Sequence, residues 1–99
     1  MLYAILAEDV TESASLRAAA RPAHLDRLDD LMHAGRLVLS GPHPAIDSIE
    51  PGPAGYTGSL IVAEFESLLA AREWAEADPF VAAGVYASVV VKPFVKILP

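Results

Sequence analysis

The chain predicts an α+β sandwich of ferredoxin-like topology, βαββαβ, with an antiparallel sheet and both helices on one face. Three observations predict it. Four apolar runs of strand length recur along the 99 residues. A stretch with helical spacing lies between the first and second runs, and another between the third and fourth. Between the second and third runs there is only a proline- and glycine-rich connection. Two right-handed split crossovers satisfy that order. The length allows one domain, residues 1–99, with a single core. At 54% hydrophobic residues and a mean hydropathy of +0.38, the chain has more apolar surface than one sheet face can bury. The second face is therefore expected to pack against the same face of another copy, as a homodimer.

Tyr3 to Ala7 reads as a first strand, apolar on both faces and so central. Glu8 to Thr11 is a polar turn. Ser13 to Ala20 is rich in alanine and helix-prone, but it runs into Arg21-Pro22, and a residue before proline is biased away from helix. A break is expected near Ala20–Arg21, with the main helix from Pro22 to Ala34 and Gly35 as its C-terminal cap. Leu25, Leu28, Leu31 and Met32 form its apolar face. Arg36 to Ser40 is a second strand, ended by Gly41-Pro42. Pro42 to Gly58, with prolines at 42, 44, 51 and 53, is a long connection. Ser59 to Phe65 is a third strand. Ser67 caps a helix through Leu68 to Ala77, Asp78 caps a further short turn, and Gly84 ends it. Val85 to Lys92 is the fourth strand, with Val85, Ala87, Val89 and Val91 on one face and Tyr86, Ser88, Val90 and Lys92 on the other.

Composition narrows the function classes. There is no cysteine, which removes disulfides, thiolate metal sites and a cysteine nucleophile, and fits a cytoplasmic location. The chain starts on strand-like Met1-Leu2-Tyr3 with no basic region before it, so no signal peptide is expected. No apolar run reaches the roughly 18 residues of a membrane span. Seven basic residues stand against thirteen acidic ones, for a net charge of −6, and the basic ones are scattered. That field opposes a phosphate backbone, so nucleic acid is not an expected partner and a small-molecule ligand is. His24, His33 and His43 lack ligand spacing on one element, so no metal site is expected. No glycine-rich phosphate loop and no nucleophile elbow occurs, and no cofactor is expected.

One ionisable ring falls on the wrong side of the main helix. His24 lies seven residues before Leu31, so it points inward with the leucines and needs a partner. The topology supplies one. The start of the main helix, the end of the second strand (Ser40-Gly41-Pro42) and the end of the second helix (Asp78) converge on one edge of the sandwich. A carboxylate that accepts from one imidazole nitrogen fixes the tautomer and leaves the other free to act as a base. Three roles fit a His24–Asp78 pair: an acid–base dyad, a ligand-orienting pair in a non-catalytic metabolite-binding dimer, and a structural cap bridge. Ser40, or a backbone N–H near Gly41, could steady a developing negative charge. Arg21, beside His24, is either a solvated side chain or an anion clamp.

Arg21-Pro22-Ala23-His24-Leu25, Ser40-Gly41-Pro42, Ala77-Asp78-Pro79-Phe80, Gly84-Val85-Tyr86 and Val91-Lys92-Pro93-Phe94 resemble the YciI-like (YCII-related domain) family, almost end to end. The resemblance implies a dimeric α+β barrel of two ferredoxin-like subunits, related to the muconolactone-isomerase type. It also implies an active site on a His–Asp pair, carried over to His24 and Asp78, with Ser40, Gly41 and Pro42 as pocket residues. Dehydrochlorination of a chlorinated, hydroxylated ring is among the activities associated with the family. The expected function is cofactor-free elimination, isomerisation or lactone-type chemistry on a small carboxylate or enol. His33 and His43 match no motif and are assigned nothing.

Overall fold

The computed structural model covers residues 1–99. Its strands are β1 (Leu2–Asp9), β2 (Leu37–Pro44), β3 (Tyr56–Glu64) and β4 (Tyr86–Phe94), and its helices are α1 (Ala14–His33), α2 (Leu68–Glu76) and α3 (Pro79–Ala82). The sheet order is β2-β3-β1-β4, with every pair antiparallel. This is the expected ferredoxin-like arrangement. β1 is central because both of its faces are apolar, and β2 and β4 form the edges. One face of the sheet, with Tyr3 and Ile5 of β1 and Ile61 and Ala63 of β3, packs on Leu28 and Leu31 of α1 and Ala71 and Ala75 of α2. Ser67 caps α2 through the amide of Ala70, as the sequence predicts.

The predicted break at Ala20–Arg21 does not occur, since α1 runs unbroken for 20 residues through Pro22. Pro22 removes the hydrogen bond to the carbonyl of Ala18, but both residues are exposed, so water can take that carbonyl. Burial of His24, Leu28 and Leu31 after the proline, with the Arg17–Asp9 ion pair before it, outweighs the local bias. The inward stripe of α1 is accordingly longer than expected and narrower. His24, Leu28 and Leu31 are buried, whereas Leu25 and Met32 are exposed. The helix ends as predicted at Gly35, whose φ of +71° suits a residue without a Cβ.

A second expectation fails at Gly41-Pro42. The strand does not end there: β2 continues to Pro44, with Gly41 opposite Leu60 and Pro42 opposite Ser59. Proline has no N–H to give to a ladder, but β2 is an edge strand with one side unpaired, which is where a sheet tolerates it. Ser40, Gly41 and Pro42 are thus strand residues beside β3 instead of a turn.

The third correction lies in β4. Tyr86 pairs with Asp9 and Ser88 with Glu8, so Ala87 is an extra residue bulged out of the ladder. The bulge resets the alternation. Tyr86 therefore shares the helix-side face with Val89 and Val91 instead of lying opposite them.

Gly58 has a specific reason to be glycine. A Cβ there would collide with the carbonyl oxygen of Ala7 on the paired strand, and backbone cannot yield cheaply. Gly58→Ala is expected to cost about 1–3 kcal/mol through local overpacking, read as a lowered urea midpoint. An unchanged midpoint would show that β1 and β3 can separate at this end.

Candidate active site

His24 stands midway along α1 and is 7% exposed; Asp78, the N-cap of α3, is 3% exposed. The imidazole Nδ1 lies 2.9 Å from Asp78 Oδ1 and 2.8 Å from Oδ2. The backbone N–H of Phe80 donates to Oδ1 over 2.9 Å. A carboxylate only accepts, so Nδ1 carries a hydrogen, and in the neutral ring Nε2 is the nitrogen with a free lone pair. The ring lies flat on Phe80, with centroids 3.9 Å apart and planes 7° from parallel. Carboxylate and phenyl together fix both the position and the tilt of the imidazole.

A cavity of about 230 Å³ opens beside it. Arg21, His24, Ser40, Gly41 and Pro42, the residues placed here from the sequence, all line it, and Asp78 stands behind His24. Arg17, Ser59 and Phe80 line it as well, and none of the three is a sequence-predicted site residue. A larger, open concavity of about 780 Å³ follows Pro44 to Ile49, but Asp47 is its one ionisable group.

Two buried networks support this chamber from behind. In the first, the Arg17 Nε and Nη2 both donate to Asp9, and Nη2 also reaches the Gly58 carbonyl at 3.0 Å. Ser13 Oγ donates to Asp9 over 2.6 Å, which is why this residue caps α1 without a side-chain bond to the helix. The Arg17 guanidinium lies 5.1 Å from the Phe80 ring centroid. In the second network, the Tyr86 hydroxyl and Ser59 Oγ are 2.9 Å apart, and the Tyr86 ring meets Phe80 edge-on. The bulge at Ala87 is what turns Tyr86 toward these groups.

Burial, with the Asp78 charge adding to it, outweighs the Ser59 hydrogen bond and pushes the Tyr86 phenol up to about 12 from 10.0. Tyr86 is therefore protonated at neutral pH. Folding holds this proton more tightly than the unfolded chain does. The associated stability is complete below about pH 10 and is lost as pH rises through about 12. Urea midpoints of the wild type and Tyr86→Phe are expected to run parallel near neutrality. Above about pH 10 the wild type should lose more than the variant. Parallel curves throughout would show that the phenol ionises as freely as in water.

Comparisons with known proteins show the family and support the fold. The model of the YCII-related domain matches residues 1–95. The chain belongs to the YCII-related domain family. It is 59% identical over 97 residues to Protein YciI of Escherichia coli, covering 98% of this chain and 99% of that one. It is 50% identical over 97 residues to a Haemophilus influenzae protein, with the same coverage. Among solved structures, it is similar to the 5-chloro-2-hydroxyhydroquinone dehydrochlorinase TftG of Burkholderia phenoliruptrix, in complex with 2,5-dihydroxybenzoquinone. That match has a TM-score of 0.81 and 28% identity and covers 95% of this chain and 93% of the other. The family relation extends over the whole sandwich.

Proposed function

We propose that the chain is a small acid–base enzyme in which His24 moves the proton and Asp78 orients it. The observation that carries this reading is the Nδ1–carboxylate contact at the wall of a cavity, with no protein group bonded to Nε2. Nε2 takes a proton from a hydroxyl, or from a carbon next to a carbonyl, and Asp78 compensates the charge the ring gains. Ser40 and Ser59 reach the same chamber and can donate to an oxygen that becomes negative. The substrate is a small carboxylate, enol or hydroxylated ring, and the reaction is elimination, isomerisation or lactone-type. Proton transfer with departure of an anion moves no net electrons to an acceptor, so it needs no cofactor. For a chlorinated hydroquinone, His24 would take a hydroxyl proton while a proton is delivered to the carbon bearing chlorine; loss of a second hydroxyl proton then expels chloride from that carbon with its bonding pair, and a quinone results. The similarity to TftG supports that substrate class.

The open face of the sheet carries Leu6 and Val90, which pair across β1 and β4, and Leu39 opposite Val62. Leu6, Leu39 and Val90 are 38%, 47% and 47% exposed. We read this face as the contact of a homodimer. No helix is long and apolar enough to cross a membrane.

The test is turnover by the wild-type protein. Two assays suit it: chloride release from 5-chloro-2-hydroxyhydroquinone, and deuterium exchange next to the carbonyl of keto and enol acids, followed by proton NMR. Either activity, lost in His24→Ala, supports the enzyme. Binding of these compounds with rates no faster than buffer points instead to a metabolite-binding protein. A His24→Ala variant that differs in thermal stability alone makes the pair a structural bridge.

A further inference from the structure

The chamber beside His24 has a neighbour. A second cavity of about 290 Å³ reaches from Ala14 of α1 to Gly52 and Tyr56, and Arg17, Arg21 and Pro42 belong to the walls of both. The two arginines stand on one face of α1, one turn apart, at the junction between the cavities. No carboxylate lines either cavity, in a chain whose net charge is −6. Two carboxylates stand behind the walls, Asp9 on Arg17 and Asp78 on His24.

The two guanidinium groups are not equally engaged. Arg17 is held by Asp9 and the Gly58 carbonyl through Nε and Nη2, which leaves Nη1 with no protein partner. Its orientation is therefore set in advance, with its side chain 12% exposed. Arg21 enters neither of the chain's two ion pairs. A guanidinium fixed on one edge and open on the other, beside a free one, suits a ligand oxyanion, because charge-assisted bonds to a fixed fork need little reordering.

We propose that Arg17 and Arg21 form an anion site joining the two cavities, and that the ligand is a carboxylate whose charged end sits there while its other end reaches His24. The proposal rests on the His24 chamber being the working site. It specifies the ligand further. Along α1, Arg21 lies ~4.5 Å from His24 and Arg17 ~10 Å from it, at 1.5 Å per residue. The carboxylate is thus set off from the reacting atom by a ring or several chain atoms. The first cavity, about 230 Å³, is small for a ligand site, for which ~300–1,000 Å³ is usual. A ligand spanning both would use the second.

The probes are 2,5-dihydroxyphenylacetate and its neutral amide, which share a ring and differ in charge. Calorimetry on the wild type is expected to show the acid bound at least about tenfold more tightly, the size of one charge-assisted hydrogen bond. Arg21→Gln should bring the two within about twofold. Arg17→Gln alone strands the Asp9 carboxylate, so the double variant Asp9→Asn/Arg17→Gln is used, which removes both charges together and leaves the net charge unchanged. It too should lose the preference. His24→Gln should keep it, whether or not turnover depends on His24. The proposal is overturned if the acid does not bind the wild type, if it binds no better than the amide, or if both arginine variants keep the preference. Loss of turnover in His24→Gln beside an unchanged preference in the arginine variants would sink the anion site and leave the acid–base reading standing.

Discussion

His24→Gln is expected to lower kcat/KM by about 10²–10⁴-fold on whichever substrate the wild type turns over, the range that general acid–base catalysis supplies. Glutamine has a side-chain N–H that can still meet Asp78, and its amide can lie on Phe80, so the chamber wall survives. It offers no basic nitrogen where Nε2 stood. Asp78→Asn separates position from tautomer. Asparagine is as good an N-cap as aspartate, so the Phe80 amide keeps its acceptor and α3 its start. Its amide can instead donate to Nδ1, and then the ring carries its hydrogen on Nε2 and presents no lone pair to the cavity. A fall in kcat larger than any rise in KM, with an unchanged circular-dichroism melt, is the expected result for both variants. If His24→Gln keeps its rate within a few-fold, the proton is moved by another group.

The two halves of this site were not equally legible in the sequence. His24 and Asp78 could be paired because helical periodicity puts His24 inward and βαββαβ connectivity brings the two helices to one edge. The periodicity needs no exact boundary. Connectivity with the predicted boundaries places His24 at a helix start, whereas α1 begins at Ala14 and His24 stands midway along it. Arg17 was out of reach for a local reason. The expected break at Ala20–Arg21 cut it off from the helix it belongs to. In the unbroken α1, positions 17, 21, 24, 28 and 31 fall on one stripe at spacings of three and four. Reading that stripe through the proline would have found it. Tyr86 departs from its predicted face because strict alternation takes no account of a bulge, and nothing in Tyr86-Ala87-Ser88 marks one. Its register is set by pairing with β1, a long-range contact. Ser59 is predicted as the start of a strand but lies within β3, which begins at Tyr56, and its bond to Tyr86 depends on that same register.

Asp9→Ala is expected to cost about 3–5 kcal/mol, the usual penalty for removing one partner of a buried ion pair. The Asp9 carboxylate is 1% exposed and the Arg17 side chain 12%, and three of the chamber's supports depend on that carboxylate. Without it, Arg17 keeps a carbonyl and two aromatic faces but no counter-charge, and Ser13 loses its closest acceptor. At roughly 4–8 °C per kcal/mol for a domain of this size, the melting temperature should fall by well over ten degrees. The double variant Asp9→Leu/Arg17→Met is the informative control. Exchanging a buried pair for apolar side chains of similar volume is often neutral or stabilising, so it should recover most of that loss. A fold that tolerates the double variant but not Asp9→Ala does not require the charges for its own stability. That result would leave the guanidinium nitrogen that has no protein partner, at the wall of the cavity, as the pair's remaining feature to test against a ligand. If Asp9→Ala instead costs under about 1 kcal/mol, water already screens the pair as it does at a surface. Arg17 would then be no more fixed than Arg21, and the orientation argued for its open edge would fail with it.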